Sequence, residues 1–354
     1  MKNIDFSKFS KIPATAKIFL LQNLSVMLRA GISLADALKT LSEESKNQKL
    51  KKILLETAEK IKQGKSLSES LMPYTSDFGE LFVNMIRAGE ASGRLEDILN
   101  ELYIQHKKDH LILSKIRNAL TYPVIIIIAM LGIAAFVVVF VLPTITNMFR
   151  ELNAELPLPT KILIYVSDFI HQNGIYIGIA IVILIFIAIK LGRSKKGKSG
   201  LHHFILKIPI ISGIIKQVNL ARAARSLSSL IKTDIAIVDT LSITSKILGN
   251  SAFRQTFAEA AEKVKKGQKL ASIFREYPKL FPGIFIQMVA VGEETGALDE
   301  VLANLADFYE EEVSQTMGNL PTIIEPVLML LIGCGVAGIA ISILLPIYSM
   351  TQNM

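Results

Sequence analysis

The chain has 354 residues, 51% of them hydrophobic, and a mean hydropathy of +0.43, which is too apolar for an ordinary soluble enzyme. Yet 20% of the residues are charged, so long segments must face water, and the chain is expected to be part membrane, part aqueous. The net charge of +8 is spread over lysine-rich helices mixed with acids, without an aromatic-basic motif, so no direct nucleic-acid binding is expected. The single cysteine, Cys334, leaves no disulfide possible within one chain, which fits aqueous parts in a reducing compartment. Residues 1–17 carry charge and Pro13 but no apolar core of signal-peptide length, so the N-terminal region is expected in the cytoplasm.

Along the chain, Gly31 and Ser33 mark a turn before a helix over 34–41. Ile53, Leu54, Ala58 and Ile61 recur at helical spacing beside Lys51, Lys52, Glu56, Glu59 and Lys60, which predicts an amphipathic helix. Gly64 stands where that helix should stop, and Ser66 with Glu69 has the spacing of a capping box. In the run Gly89-Glu90-Ala91-Ser92-Gly93-Arg94-Leu95, two glycines four apart permit positive backbone angles. The run reads either as a plain helix–turn–helix corner or as a corner that Glu90 and Ser92 organise for a docking partner. His106 and His110 are four apart on a helix near Asp109; two imidazoles without a thiol favour a solvated face over a zinc site. No metal or cofactor is expected.

Three stretches qualify as membrane spans. The uncharged run 124–142 lies between Pro123 and Pro143. At ~1.5 Å per residue it reaches about 28 Å, near the ~30 Å of a bilayer's hydrocarbon. The run 327–345 lies likewise between Pro326 and Pro346, and 172–191 completes a shorter span with Lys190 reaching to the interface. Arg193, Lys195, Lys196 and Lys198 follow the middle span, whereas the loop 143–171 carries only Arg150 and Lys161 among basic residues. The positive-inside rule therefore puts the N-terminus and 192–322 in the cytoplasm, with the short loop and the tail 346–354 outside.

The two cytoplasmic regions align without a gap at an offset of 203 residues. Gly64 falls on Gly267, Asp36 on Asp239, Tyr74 on Tyr277, Phe78 on Phe281, and Pro123 and Pro143 on Pro326 and Pro346. The corner returns as Gly292-Glu293-Glu294-Thr295-Gly296-Ala297-Leu298. Asp234 replaces Gly31, which predicts a different turn geometry or an aspartate cap. His202 and His203 are expected at the membrane surface, and Glu310-Glu311-Glu312 as a solvated helix face, with a shared cation site as the alternative. Glu325 precedes Pro326 where Tyr122 precedes Pro123, either as an interfacial residue or as a fixed contact between helices of an assembly. No strand-like alternation stands out. The expected fold is an all-α membrane protein with two repeated cytoplasmic antiparallel helical-bundle domains and three transmembrane helices. The divisions are 1–120, 121–142, 143–171, 172–191, 192–322, 323–345 and 346–354.

No phosphate loop, nucleophile elbow or His-Glu-x-x-His pair occurs, so no enzyme is expected, and any ATP would be hydrolysed by another subunit. The doubled Gly-Glu-x-Ser/Thr-Gly-x-Leu run, Tyr122-Pro123, Glu325-Pro326, 156–160 and Val141-Leu142-Pro143 before Met148-Phe149 carry a family resemblance. The chain resembles the inner-membrane platform proteins of type II secretion and type IV pilus systems, the GspF/PilC family, over nearly its whole length. The resemblance implies a non-catalytic, oligomeric scaffold in the cell inner membrane. Its implied partners are a cytoplasmic secretion or assembly ATPase, pilins or pseudopilins, other platform subunits and membrane lipid. The competing classes are a transporter, for which three spans with essentially one carboxylate offer little polar lining, and a membrane adaptor without fibre assembly.

Overall fold

The computed structural model describes residues 11–141, 143, 165, 169, 173, 176 and 209–352. Among them there is no strand; every regular element is helical. The first copy holds α1 (Ala14–Arg29), α2 (Leu34–Glu44), α3 (Gln48–Lys62), α4 (Leu67–Leu71), α5 (Thr75–Phe78), α6 (Glu80–Ser92) and α7 (Leu95–Phe136). The second holds α8 (Pro209–Lys232), α9 (Ile237–Ile247), α10 (Ser251–Lys265), α11 (Leu270–Arg275), α12 (Gly283–Thr295) and α13 (Leu298–Gln352). Shifted by 203, both ends of α2, α3 and α6 land on those of α9, α10 and α12, and α7 and α13 begin at equivalent leucines. The repeat is therefore one of structure as well as of sequence.

The stops are the same in both copies because the same backbone geometry makes them. Gly64 and Gly267 end α3 and α10 at φ 88° and 84°. The next amides, of Lys65 and Gln268, bond back to the carbonyls of Lys60 and Lys263 at 3.1 and 3.2 Å. Asp234 corrects an expectation: its φ is 60° against 83° for Gly31, and the turn is unchanged. Ile235 N donates to Leu230 O at 3.2 Å as Ile32 N donates to Met27 O at 3.0 Å. Aspartate tolerates the left-handed region better than most side chains, so the turn survives without glycine. Nor is Asp234 a cap: Ser33 caps α2 by accepting from Asp36 N, whereas Ala236 holds the N-cap position of α9 and no side chain caps it.

The two cores fill one backbone with different side chains. Buried Leu50, Leu54 and Leu71 of the first copy correspond to buried Phe253, Phe257 and Phe274 of the second. The added volume is offset where Leu20, Leu21, Leu41 and Ile53 give way to Ala223, Ala224, Thr244 and Thr256, all buried. Close packing permits such trades only when total volume is kept. In the second copy Phe274 stacks on Phe281 at 4.3 Å between centroids, and Phe253, Phe257 and Phe285 close around that pair. Leu230 and Ile243 of the second copy join the core of the first.

The chain divides into two compact units. One consists of Met1–Ser114 with Ser199–Ser314, the other of Lys115–Lys198 with Gln315–Met354. In the second unit, Val124, Ile128, Leu131, Ile133 and Phe136 of α7 and Val327, Met329, Leu330 and Val336 of α13 are exposed apolar residues. Two helices are long and apolar enough to cross a membrane, Leu95–Val141 and Leu298–Gly338, and their apolar windows are almost wholly uncovered by protein. The first contains a π-helical turn, Val137–Val141. Helix does not begin at the prolines: α7 runs through Pro123 and α13 through Pro326 and Pro346. Each proline removes one amide donor and leaves a carbonyl one turn back unpaired within the helix. The candidate span 172–191, apart from Asn173 and Tyr176, and His202, His203 and 156–160 lie outside the described residues.

Candidate functional site

In the doubled corner, Gly93 and Gly296 end α6 and α12 in the left-handed region at φ 68° and 73°. Gly89 and Gly292 do something else, which corrects the expectation of positive angles at both glycines. They lie inside the helices, and a Cβ on Gly89 would stand 2.7 Å from Ile98 Cγ1. On Gly292 a Cβ would stand 3.0 Å from Leu298 Cα and 3.3 Å from Val301 Cβ. Glycine is needed there because the following helix crosses at contact distance.

The two glutamates of the motif point inward along the same path. Glu90 accepts from the backbone amides of Leu67 and Ser68, the latter at 3.0 Å. Glu293 accepts from Leu270 and Ala271 at 2.6 and 2.8 Å. Each carboxylate thus satisfies two orphan donors at the start of a short helix, where the helix dipole favours negative charge. The hydroxyls of Ser92 and Thr295 donate to carbonyls one turn back, Ala88 O and Val291 O, both at 2.8 Å. A third repeated contact lies beside them: Ser25 donates to Glu96 O and Ser228 to Asp299 O. A fourth joins Tyr74 to Glu56 and Tyr277 to Glu259, with Lys60 and Lys263 over the two rings. Burial, then the Glu56 bond, pushes the Tyr74 phenol up to about 12.

The two copies meet along a polar seam that the sequence did not announce. Lys108 of α7 contacts Glu310 at 2.8 Å and Asp307 at 3.2 Å on α13, and Arg225 of α8 binds the same two acids at 2.9 and 2.6 Å. Arg222 binds Asp109 at 2.9 Å, and Ser229 donates to Glu101 at 2.6 Å. At the edge, Lys246 pairs with Glu80 at 2.6 Å and Arg94 approaches Asp234 at 3.9 Å. Burial alone would lower the basicity of Arg225, but bonds to Glu310 and Asp307 outweigh it and raise it; Lys108 follows the same balance. Glu310 is therefore not on a solvated face: its side chain is only 10% exposed inside this cluster. A cavity of about 170 Å³ lies here, lined by Gln105, Lys108, Asp109, Arg222, Arg225 and Glu310 among others.

His106 does not face His110 in a metal pair or lie on a solvated face. It packs edge-on against Phe82 at 6.0 Å, as Tyr309 packs on Phe285 at 6.2 Å. Burial, reinforced by the charge of Lys17, lowers the imidazole to about 4, so it stays neutral near pH 7. Among the described residues no group of three or more metal-ligating side chains occurs. Tyr122 and Glu325 are exposed on α7 and α13, each followed by its proline within the helix.

Comparison with known proteins fits this doubled geometry. The family described as type II secretion system (T2SS), protein F matches twice, over residues 20–143 and 223–346, the same 203-residue offset. The chain belongs to that family. The protein F family consists of structural platform proteins of type II secretion and type IV pilus machines, not enzymes. Among similar proteins, the type IV pilus assembly protein PilC of Pseudomonas aeruginosa is 33% identical over 93% of this chain and 88% of its own length. PilC of Myxococcus xanthus is 32% identical over 92% of this chain and 78% of its own. The type II secretion system protein F of Vibrio cholerae is 30% identical over 94% and 82%. With two uncovered helices of membrane length, this protein F homologue is an inner-membrane protein.

Proposed function

We propose that this chain is the platform that couples a cytoplasmic assembly ATPase to growth of a pilin or pseudopilin fibre. The observation that carries the reading is the family match occurring twice at the offset of the helical repeat, each time leading into a helix of membrane length. Three spans, both helical units on the cytoplasmic side and an outward C-terminal tail are the topology favoured by the distribution of basic residues. In this arrangement two soluble units, each continuous with its own membrane helix, receive strokes of a motor and displace helices in the bilayer. The corners at Glu90 and Glu293 hold each unit rigid. Tyr122, Pro123, Glu325 and Pro326 stand where the helices enter the membrane and where neighbouring spans or pilin helices make contact.

Fibre growth should stop when the platform is crosslinked to a static neighbour in the envelope; growth that continues would reject the coupling. Deleting the gene and scoring surface fibres, protein export and natural transformation in parallel should abolish at least one of them. Retention of all three would remove the reading.

A further inference from the structure

The first copy has a cleft of about 360 Å³ where the start of α1 meets the turn between α2 and α3. Phe19, Leu20, Leu41, Leu50 and Leu54 give it an apolar lining, and Glu44 and Lys46 carry its charges. The second copy is closed at the same place. Thr15, Ala16, Ser45 and Asn47 of the cleft are exposed or half-buried, whereas their equivalents Val218, Asn219, Leu248 and Asn250 are all buried. The copies also differ in what precedes the first helix. Helix α8 begins at Pro209, the equivalent of residue 6, and in its first turn Ser212, the equivalent of Phe9, is buried. Helix α1 begins only at Ala14, and the stretch ahead of it carries Phe6 and Phe9.

We infer that the stretch 5–10 of this chain closes the cleft of the first copy, with Phe9 filling it. The reach of the chain favours this occupant. Ile12 is buried in the core of the first copy, and Asn47, a lining residue, donates to Lys11 O at 3.4 Å. At ~3.3–3.6 Å per residue at most, Phe9 is held within about 7 Å of that backbone and Phe6 within about 18 Å. A tethered segment acts at an effective concentration that a free partner of equal affinity has to match from solution. Charge agrees: Asp5 and Lys8 are opposite in sign to Lys46 and Glu44, neither of which is in an ion pair among the described residues. The repeat favours an aromatic ring. The second copy has Phe253, Phe257 and Leu248 where the first has the smaller Leu50, Leu54 and Ser45, so the same corner closes there with bulk from inside. Leu20 and Leu41 return part of that bulk to the first copy, and the cleft is the remainder. With Phe9 seated, its ring leaves water and Phe19, 47% exposed, gains a cover.

The chain has no tryptophan, so Phe9→Trp in the full-length protein gives a single fluorescent reporter at the contact. In lipid vesicles its emission should be shifted to the blue and shielded from acrylamide, compared with Asn3→Trp in the same segment. Adding Phe19→Asp, a change at an exposed wall of the cleft, should return both readings to those of the Asn3→Trp protein while helical content stays the same. Free quenching of the Phe9→Trp protein by acrylamide would overturn the inference and leave the cleft to another protein. Quenching by brominated lipids would overturn it too, by sending the segment to the membrane. So would a shielded reporter that does not respond to Phe19→Asp, which would have docked elsewhere. No ATPase or pilin enters the measurement, so failure here is separable from failure of the platform reading.

Discussion

Neutral His106 makes the fold sensitive to mild acid. The unfolded imidazole titrates near its ordinary value of 6.5 and the folded one near 4, so between these the unfolded state binds the extra proton. Stability is full above pH 6.5 and falls as pH drops, by about 2 kcal/mol at pH 5 from this residue. His106→Tyr, which copies Tyr309 of the second copy, should flatten the pH dependence of thermal melting over that window. Glycine at 89 is the opposite case, fixed by space rather than charge. Gly89→Ala should cost about 1–3 kcal/mol, because its new methyl meets Ile98 at 2.7 Å, despite the better helix propensity of alanine. Asp234→Gly should stabilise by roughly 1 kcal/mol by relieving a left-handed aspartate at φ 60°, measured as a rise in melting temperature. At this scale, the sequence makes a stop at Gly64 legible, because a glycine after an amphipathic run has one common use. The reason for Gly89 was not legible, because a missing side chain does not tell which neighbour needs the room.

Short helices α4 and α11 depend on the carboxylates of α6 and α12 to different degrees. Helix α4 has Ser66 as a second cap, accepting from Glu69 N at 3.1 Å, whereas Lys269 holds the N-cap position of α11 and its side chain makes no cap. Replacing Glu90 or Glu293 by alanine strands two amides and should cost about 1–3 kcal/mol in each case, with the larger loss at Glu293. Chemical denaturation of the single and double variants would check both the size and the order. The capping-box spacing of Ser66 and Glu69 was legible as a local pattern. The partner of Glu90 was not, since residues 67 and 90 are joined only once the chain has folded back. The same limit hid the continuity of α7 and α13: prolines read as boundaries in sequence, yet a helix tolerates one when its freed carbonyl is the only loss and packing or lipid holds the rest.

Over the whole molecule, the repeat was legible because 203 residues of offset persist without a gap, and so was the helical class, because apolar residues recur at helical spacing. The seam was not, since Lys108 and Glu310 belong to ordinary charged helices until they meet. Arg225→Met removes the cation shared by Asp307 and Glu310, with side chains 12% and 10% exposed for Arg225 and Glu310. It should destabilise the unit formed by Met1–Ser114 with Ser199–Ser314 by about 3 kcal/mol, read as a lower denaturant midpoint, and Lys108 would keep part of the cluster paired. The unlike cores have a consequence of their own. Two tandem copies of one fold are prone to exchange equivalent helices during folding, giving a tangled chain of nearly equal energy. Here α3 in the place of α10 would put Leu50 and Leu54 where Phe253 and Phe257 complete the aromatic layer, and α10 in the place of α3 would force rings against Leu20, Leu21 and Leu41. Each half recognises its own parts by bulk, and the duplicated gene product has only one economical way to sort itself.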